Sequence, residues 1–117
     1  MSKESLLLAE WKERLGLQEW RIKLLTDCAP EDMSIESSAG CTDWSEAIKT
    51  ARIEILSEQY YGDRVIPFDF EKTLVHELLH LKFSLISTHV DDLQARYVHQ
   101  IIDDLARAFV NAKRGVK

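Results

Sequence analysis

His76-Glu77-Leu78-Leu79-His80 is the stretch of this 117-residue chain whose residue types and spacing could do chemistry. In an α-helix, residues four apart share a face, so the two imidazoles project side by side. Two neutral imidazoles so placed can hold one zinc ion, about 2.0–2.1 Å from each nitrogen. Glu77, next to the first histidine, would reach a water on that zinc and accept its proton, making it a nucleophile near neutral pH while the zinc polarises a scissile carbonyl. The chemistry predicted is hydrolysis of a peptide or a related amide. The bland alternative is a pair of hydrogen-bonded core histidines with Glu77 as a surface charge. One histidine alone would favour that alternative; the pair with its carboxylate favours the metal.

The residues around the motif predict a helix from about Phe70 to Ser87, capped by Asp69 and carrying Glu71 in its first turn. Leu74, Leu78, Leu81 and Leu85 form one apolar stripe, and Val75, Leu79 and Ile86 widen it. A helix apolar almost all round belongs at the centre of a fold. Polar side chains on such a helix need partners, because an unsatisfied buried polar group costs about 1–3 kcal/mol. A metal satisfies that need.

Catalytic zinc usually takes three protein ligands and a water. The candidates after His80 are His89, Asp91, Asp92, His99, Asp103 and Asp104. A second helix is predicted from about Asp91 to Ala112, with Lys113 and Arg114 at its end and Gly115 after it. If the two helices form an antiparallel hairpin turning near residue 89, His80 faces residue 98, His76 faces residue 102, and His99 falls opposite the pair. His99 also borders an apolar stripe of Ala95, Val98, Ile102, Ala106 and Phe109, which predicts that it points inward. His99 is therefore the expected third ligand, with His89, which belongs in the turn, and Asp92 as alternatives. Asp103 is a possible acceptor for a ligand ring N–H, against the plainer reading of a solvated charge.

The remainder predicts the scaffold. Leu7, Leu8, Trp11 and Leu15 recur at helical spacing from Lys3 to Leu15, and Gly16 supplies a stop. Trp20, Ile22 and Leu24 alternate with basic residues as in a half-buried strand. Residues 27 to 38 read as a loop. Gly40 to Ser45, with Trp44, and Ala51 to Leu56 are two further strands, and the short Glu46 to Lys49 connection makes them a hairpin. Ser57 to Pro67 reads as a loop. Helix, three strands, two helices is an α+β order, and residues 1–117 make one domain.

The net charge of −5 and the lack of a basic stripe, apart from the short tail Lys113-Arg114 with Lys117, argue against a nucleic-acid partner. No segment has the pattern of a secretory signal or of a membrane span, so a cytoplasmic protein without a membrane partner is expected. Cys28 and Cys41 are too few for a disulfide scaffold and are expected as free thiols. The expected partner is a peptide or protein substrate, and the expected state a monomer.

Thr73-Leu74-Val75-His76-Glu77-Leu78-Leu79-His80-Leu81 resembles the active-site helix of the zincin metallopeptidases. The metzincin branch needs a glycine and a third histidine soon after the motif, where this chain has Phe83 and Ile86. The spacing to His99 on a following helix is similar to the gluzincin arrangement, and the whole chain resembles the minimal gluzincins (minigluzincins) and small phage or prophage metallopeptidases. That resemblance implies a zincin-like fold and a Zn2+ cofactor, with His76 and His80 as ligands and Glu77 as general base. In gluzincins the third ligand is a glutamate; here His99 stands in its place. The same resemblance implies that strand Ala51 to Leu56 forms the upper rim of the cleft, an edge that could hold an extended peptide. Tyr60 or Tyr61 could stabilise an oxyanion, against plain packing. The expected function is zinc-dependent peptide hydrolysis. The alternatives are a catalytically inactive zinc-binding phage accessory or protein-binding module, and a zinc hydrolase acting on a non-peptide amide.

Overall fold

Two helices packed with a small sheet carry His76, His80 and His99. The computed structural model describes residues 2–34, 39–62, 64–84 and 91–116. Helix α1 (Lys3–Leu15) starts where Ser2 accepts a hydrogen bond from the Ser5 amide. It stops at Gly16, whose φ of 69° is the left-handed conformation that a residue without Cβ adopts freely. Trp11, on its inner face, is 1% exposed, and Leu7, Leu8 and Leu15 pack with it into the core.

Strands β1 (Arg21–Cys28), β2 (Gly40–Ser45) and β3 (Thr50–Leu56) form a mixed sheet in the order β1-β3-β2. The expected β2–β3 hairpin is present, with Thr42 opposite Ile53 and Trp44 opposite Ala51. β1 runs parallel to β3 on its other side, setting Ile22 opposite Ala51 and Leu24 opposite Ile53. The strand expected at the rim, Ala51 to Leu56, is therefore the central strand and not an edge. Its burial explains why: Ile53 and Ile55 are buried on one face, and Glu54 and Leu56 on the other. Only a strand flanked on both sides and covered on both faces buries alternate residues in this way. The edge nearest the histidines is β2. Behind the sheet, Cys28, Met33 and Leu56 make a small second cluster, and Pro30–Asp32 forms a single 3-10 turn.

A one-turn helix, α2 (Glu58–Tyr61), breaks the loop expected over Ser57 to Pro67. Helix α3 (Phe70–Lys82) starts at Asp69, whose carboxylate accepts from the Lys72 amide at 3.1 Å. The end of the helix expected to reach Ser87 lies outside the described residues; α3 itself is capped at Phe83. Leu74, Val75, Leu78, Leu79 and Leu81 are all buried, so α3 is central as expected and touches α1, β2, β3 and the last helix. That helix, α4 (Asp92–Arg114), opens on a capping box between Asp91 and Gln94 and runs two residues past Ala112. Ile102, Ala106 and Val110, four residues apart, are its buried stripe. Ala95 and Phe109, expected to face inward, do not, and His99, also expected to point inward, is exposed where it lines a cleft. Phe109 falls on the flank of that stripe and is 37% exposed, and exposed Ala95 lies beyond the end of the core, where α4 borders a cleft.

Charges fasten the end of α4 to the start of α3, which makes the two helices antiparallel. Arg114 forks onto Asp69 at 2.7 and 3.0 Å, and Lys113 binds Glu71 and also Glu10 at 3.0 Å. The Trp11 indole donates to Glu71 at 2.7 Å. Burial alone would push the Glu71 carboxyl up, but Lys113, Trp11 and Arg114 together hold it below the usual carboxylate range. The pair that the sequence presents as a basic tail thus braces the helices against one another. Among the described residues, no helix is long and apolar enough to cross a membrane.

Candidate metal centre

Helical periodicity puts His76 and His80 on one face of α3, with ring centroids 5.1 Å apart. The antiparallel α4 brings His99 over them, its ring 4.8 Å from that of His76 and 5.7 Å from that of His80. One nitrogen from each of the three rings lies within 4.8 Å of the others. Nε2 of His76 and Nε2 of His99 are 3.2 Å apart. Two nitrogens on one tetrahedral zinc are separated by about 3.4 Å. The observed pair is near that spacing, which is also the spacing of a hydrogen bond between the rings.

The surroundings favour the neutral, ligating form of His76 and His80. Burial pushes His80 down to about 4, and the neighbouring His76 and His99 push the same way. Burial and His99 lower His76 too, partly opposed by Asp103. Asp103 Oδ1 lies 3.4 Å from His76 Nδ1, the nitrogen turned away from His99. A carboxylate there favours the tautomer with its proton on Nδ1 and its lone pair on Nε2, toward the other two rings. The donor set, three imidazoles on two braced helices, fits the chemistry of zinc.

Glu77 is only 6% exposed. Its Oε1 accepts a hydrogen bond from Thr42 Oγ1 at 2.7 Å, across the gap between α3 and β2. Gly40 permits that approach: a Cβ there would lie 2.9 Å from Thr73 Cγ2 and 3.0 Å from Glu77 Oε2. Burial lifts the Glu77 carboxyl to about 7, and the Thr42 hydroxyl pulls it only partly back. The plain alternative, in which Glu77 is a surface charge, is therefore excluded. His76, Glu77, His80 and His99 all line one cleft of about 720 Å³, walled on its far side by β2.

No protein-family model, curated protein or solved structure matches this chain. What the site can do rests on its own geometry.

That geometry sorts the remaining candidates. Asp91 is spent as the cap of α4, and Asp92 is exposed in its first turn, apart from the histidine trio. Asp104 pairs with Arg107. His89 lies outside the described residues. Tyr61 lines the cleft, but its hydroxyl donates to the Ile66 carbonyl at 2.7 Å; Tyr60 is exposed. Cys28 and Cys41 are free, as expected, and both are buried. The Cys41 thiol donates to Glu54 at 2.9 Å, and burial pushes its pKa up to about 11, so it is a hydrogen-bond donor and not a thiolate. Thr42 and Gly40 were not legible as site residues. The one signal present was a glycine opening an amphipathic strand, which marks close approach of another group.

Proposed function

We propose that this chain is a zinc-dependent metallopeptidase of the minimal gluzincin kind. His76, His80 and His99 are its metal ligands and Glu77 its general base. The observation that carries this reading is the convergence of three ring nitrogens within 4.8 Å beside a buried carboxylate on the same helix. Three protein ligands with a fourth position open is the usual make-up of catalytic zinc. A zinc ion held there would supply the Lewis acidity, polarising a scissile carbonyl and lowering the pKa of a water beside it. Glu77 takes the proton of the attacking water and passes it to the departing nitrogen. Thr42 fixes one carboxylate oxygen and so leaves the other for the proton. Asp103 keeps the His76 ring in its ligating orientation.

The peptide would be held by β2. The Leu56 amide donates to the Ala39 carbonyl, so alternation along the antiparallel pair turns the backbone groups of Gly40, Thr42 and Trp44 away from β3. Among the described residues, no strand pairs that outer edge. An extended peptide added there runs along the cleft past Glu77.

The depth of Glu77 favours a second reading, a zinc-binding module that hydrolyses nothing. Elemental analysis of the purified protein and of His99→Ala, together with a broad peptide library offered to wild type and Glu77→Ala, separates the two. The peptidase reading expects one equivalent of zinc, weakened in His99→Ala, and cleavage that stops in Glu77→Ala while zinc stays. Zinc without cleavage selects the binding module, and failure to take up zinc overturns both.

A further inference from the structure

The cleft is apolar at both ends. Arg114 meets Asp69 and Asp103 lies against His76, so the direction of α4 sets Ala95 and Val98 at the His80 end. Trp44 of β2 lines the cleft there as well and is only half-buried. At the other end, where β2 begins, the wall is Tyr61, Ile66 and Pro67. The Tyr61–Ile66 hydrogen bond and the edge-on packing of Tyr61 against Phe68, 5.4 Å between centroids, tie this wall together. Ile66 nevertheless remains 61% exposed, an apolar surface turned toward solvent at the mouth. The acidic lining residues other than Glu77 are matched locally, Asp69 by Arg114 and Asp103 by Arg107.

A peptide strand beside β2 turns alternate side chains into the cleft, about 6.8 Å apart. With the reacting bond level with Thr42 and Glu77, the side chain on the Trp44 side meets Trp44, Ala95 and Val98. The one four residues away, on the Gly40 side, meets Tyr61, Ile66 and Pro67. We infer that the substrate is an extended segment with large apolar side chains at these two positions, four residues apart. Folded proteins bury such segments, so the substrate is an unfolded chain or an exposed hydrophobic stretch, not a charged folded surface. This inference rests on the site being a peptidase centre.

The test uses Glu77→Gln protein with zinc present and two fluorescent 12-residue peptides, alike except for Phe or Asp at two positions four apart. The Phe peptide is expected to bind at least about tenfold more tightly. Ala95→Phe, at an exposed helical position, fills one end of the cleft; it should abolish most of that gain while leaving zinc content and thermal unfolding unchanged. Ile66→Asp should do the same from the other end. Equal binding of the two peptides, or no effect of either substitution, overturns the inference. Zinc uptake by the wild-type protein with cleavage of Phe- and Asp-flanked bonds alike also overturns it and leaves the peptidase reading standing. A Phe preference without zinc uptake or cleavage keeps the apolar groove and overturns the peptidase reading.

Discussion

Replacing Glu77 by glutamine should make the metal-free protein more stable, and increasingly so as the pH rises. The carboxyl is buried, and that burial lifts it from 4.5 to about 7. In the unfolded chain the same group loses its proton near 4.5. Between these values the folded state keeps a proton that the unfolded state has released. The stabilisation present below 4.5 is therefore lost as the pH climbs through 7. At about 1.4 kcal/mol for each pH unit, the loss comes to about 3 kcal/mol by pH 8. Glutamine keeps the shape, can still accept from Thr42 and has no charge to bury. His76 and His80, held low by burial, act in the opposite sense, costing stability as the pH falls below 6.5, but they are common to both proteins and cancel in the comparison. Paired urea denaturation in chelator between about pH 4.5 and 8 reads the gap directly. A gap that does not change with pH refutes the reasoning, because the carboxylate would then be as well solvated folded as unfolded. Saturating zinc should shrink the gap, since a nearby cation favours the ionised carboxylate.

The strand facing Glu77 yields two further expectations. Thr42→Val leaves a buried carboxylate oxygen without its donor and should cost about 1–3 kcal/mol in chemical denaturation, whereas Thr42→Ser should restore most of it; equal losses in the two variants would mean that the methyl matters and the hydroxyl does not. Gly40→Ala drives a methyl to 2.9 Å from Thr73 Cγ2 and 3.0 Å from the Glu77 carboxylate. The overpacking should cost about 1–3 kcal/mol, read as a fall in Tm of about 4–8 °C for each kcal/mol, and an unchanged Tm would show that β2 moves aside freely.

The parts of the site legible in the sequence are those governed by local periodicity. His76 and His80 share a helix face, Glu77 adjoins the first, and antiparallel pairing of the two helices leaves His99 opposite them, so all four chemical groups could be named from spacing. Asp69, Asp91 and Gly16 sit where the chain fixes helix ends, and all three act as caps. Strand order is another matter. Alternation identifies Ala51 to Leu56 as a strand, but its central place depends on β1 returning to pair with it in parallel, a contact between segments almost thirty residues apart. That pairing turns β2 into the edge and brings Thr42 and Gly40 against Glu77, so neither could be seen as part of the site. Lys113 and Arg114 show the same limit: at a helix end they read as dipole-compensating surface charges, and their role depends on Asp69 and Glu71 more than forty residues earlier. Ala95 and Phe109 are apolar at helical spacing, yet periodicity alone does not say where a core stops.

The bracing of Glu71 by Lys113, Arg114 and Trp11 joins the first, third and last helices at one point. The docking of α4 therefore depends on its last turn. A nascent chain that has not yet released Lys113 from the ribosome has Glu71 and Asp69 without the cations that match them, and the helix bearing His99 without its fastening. An ion held by all three histidines thus needs α4 docked on α3, because the motif helix on its own offers two imidazoles.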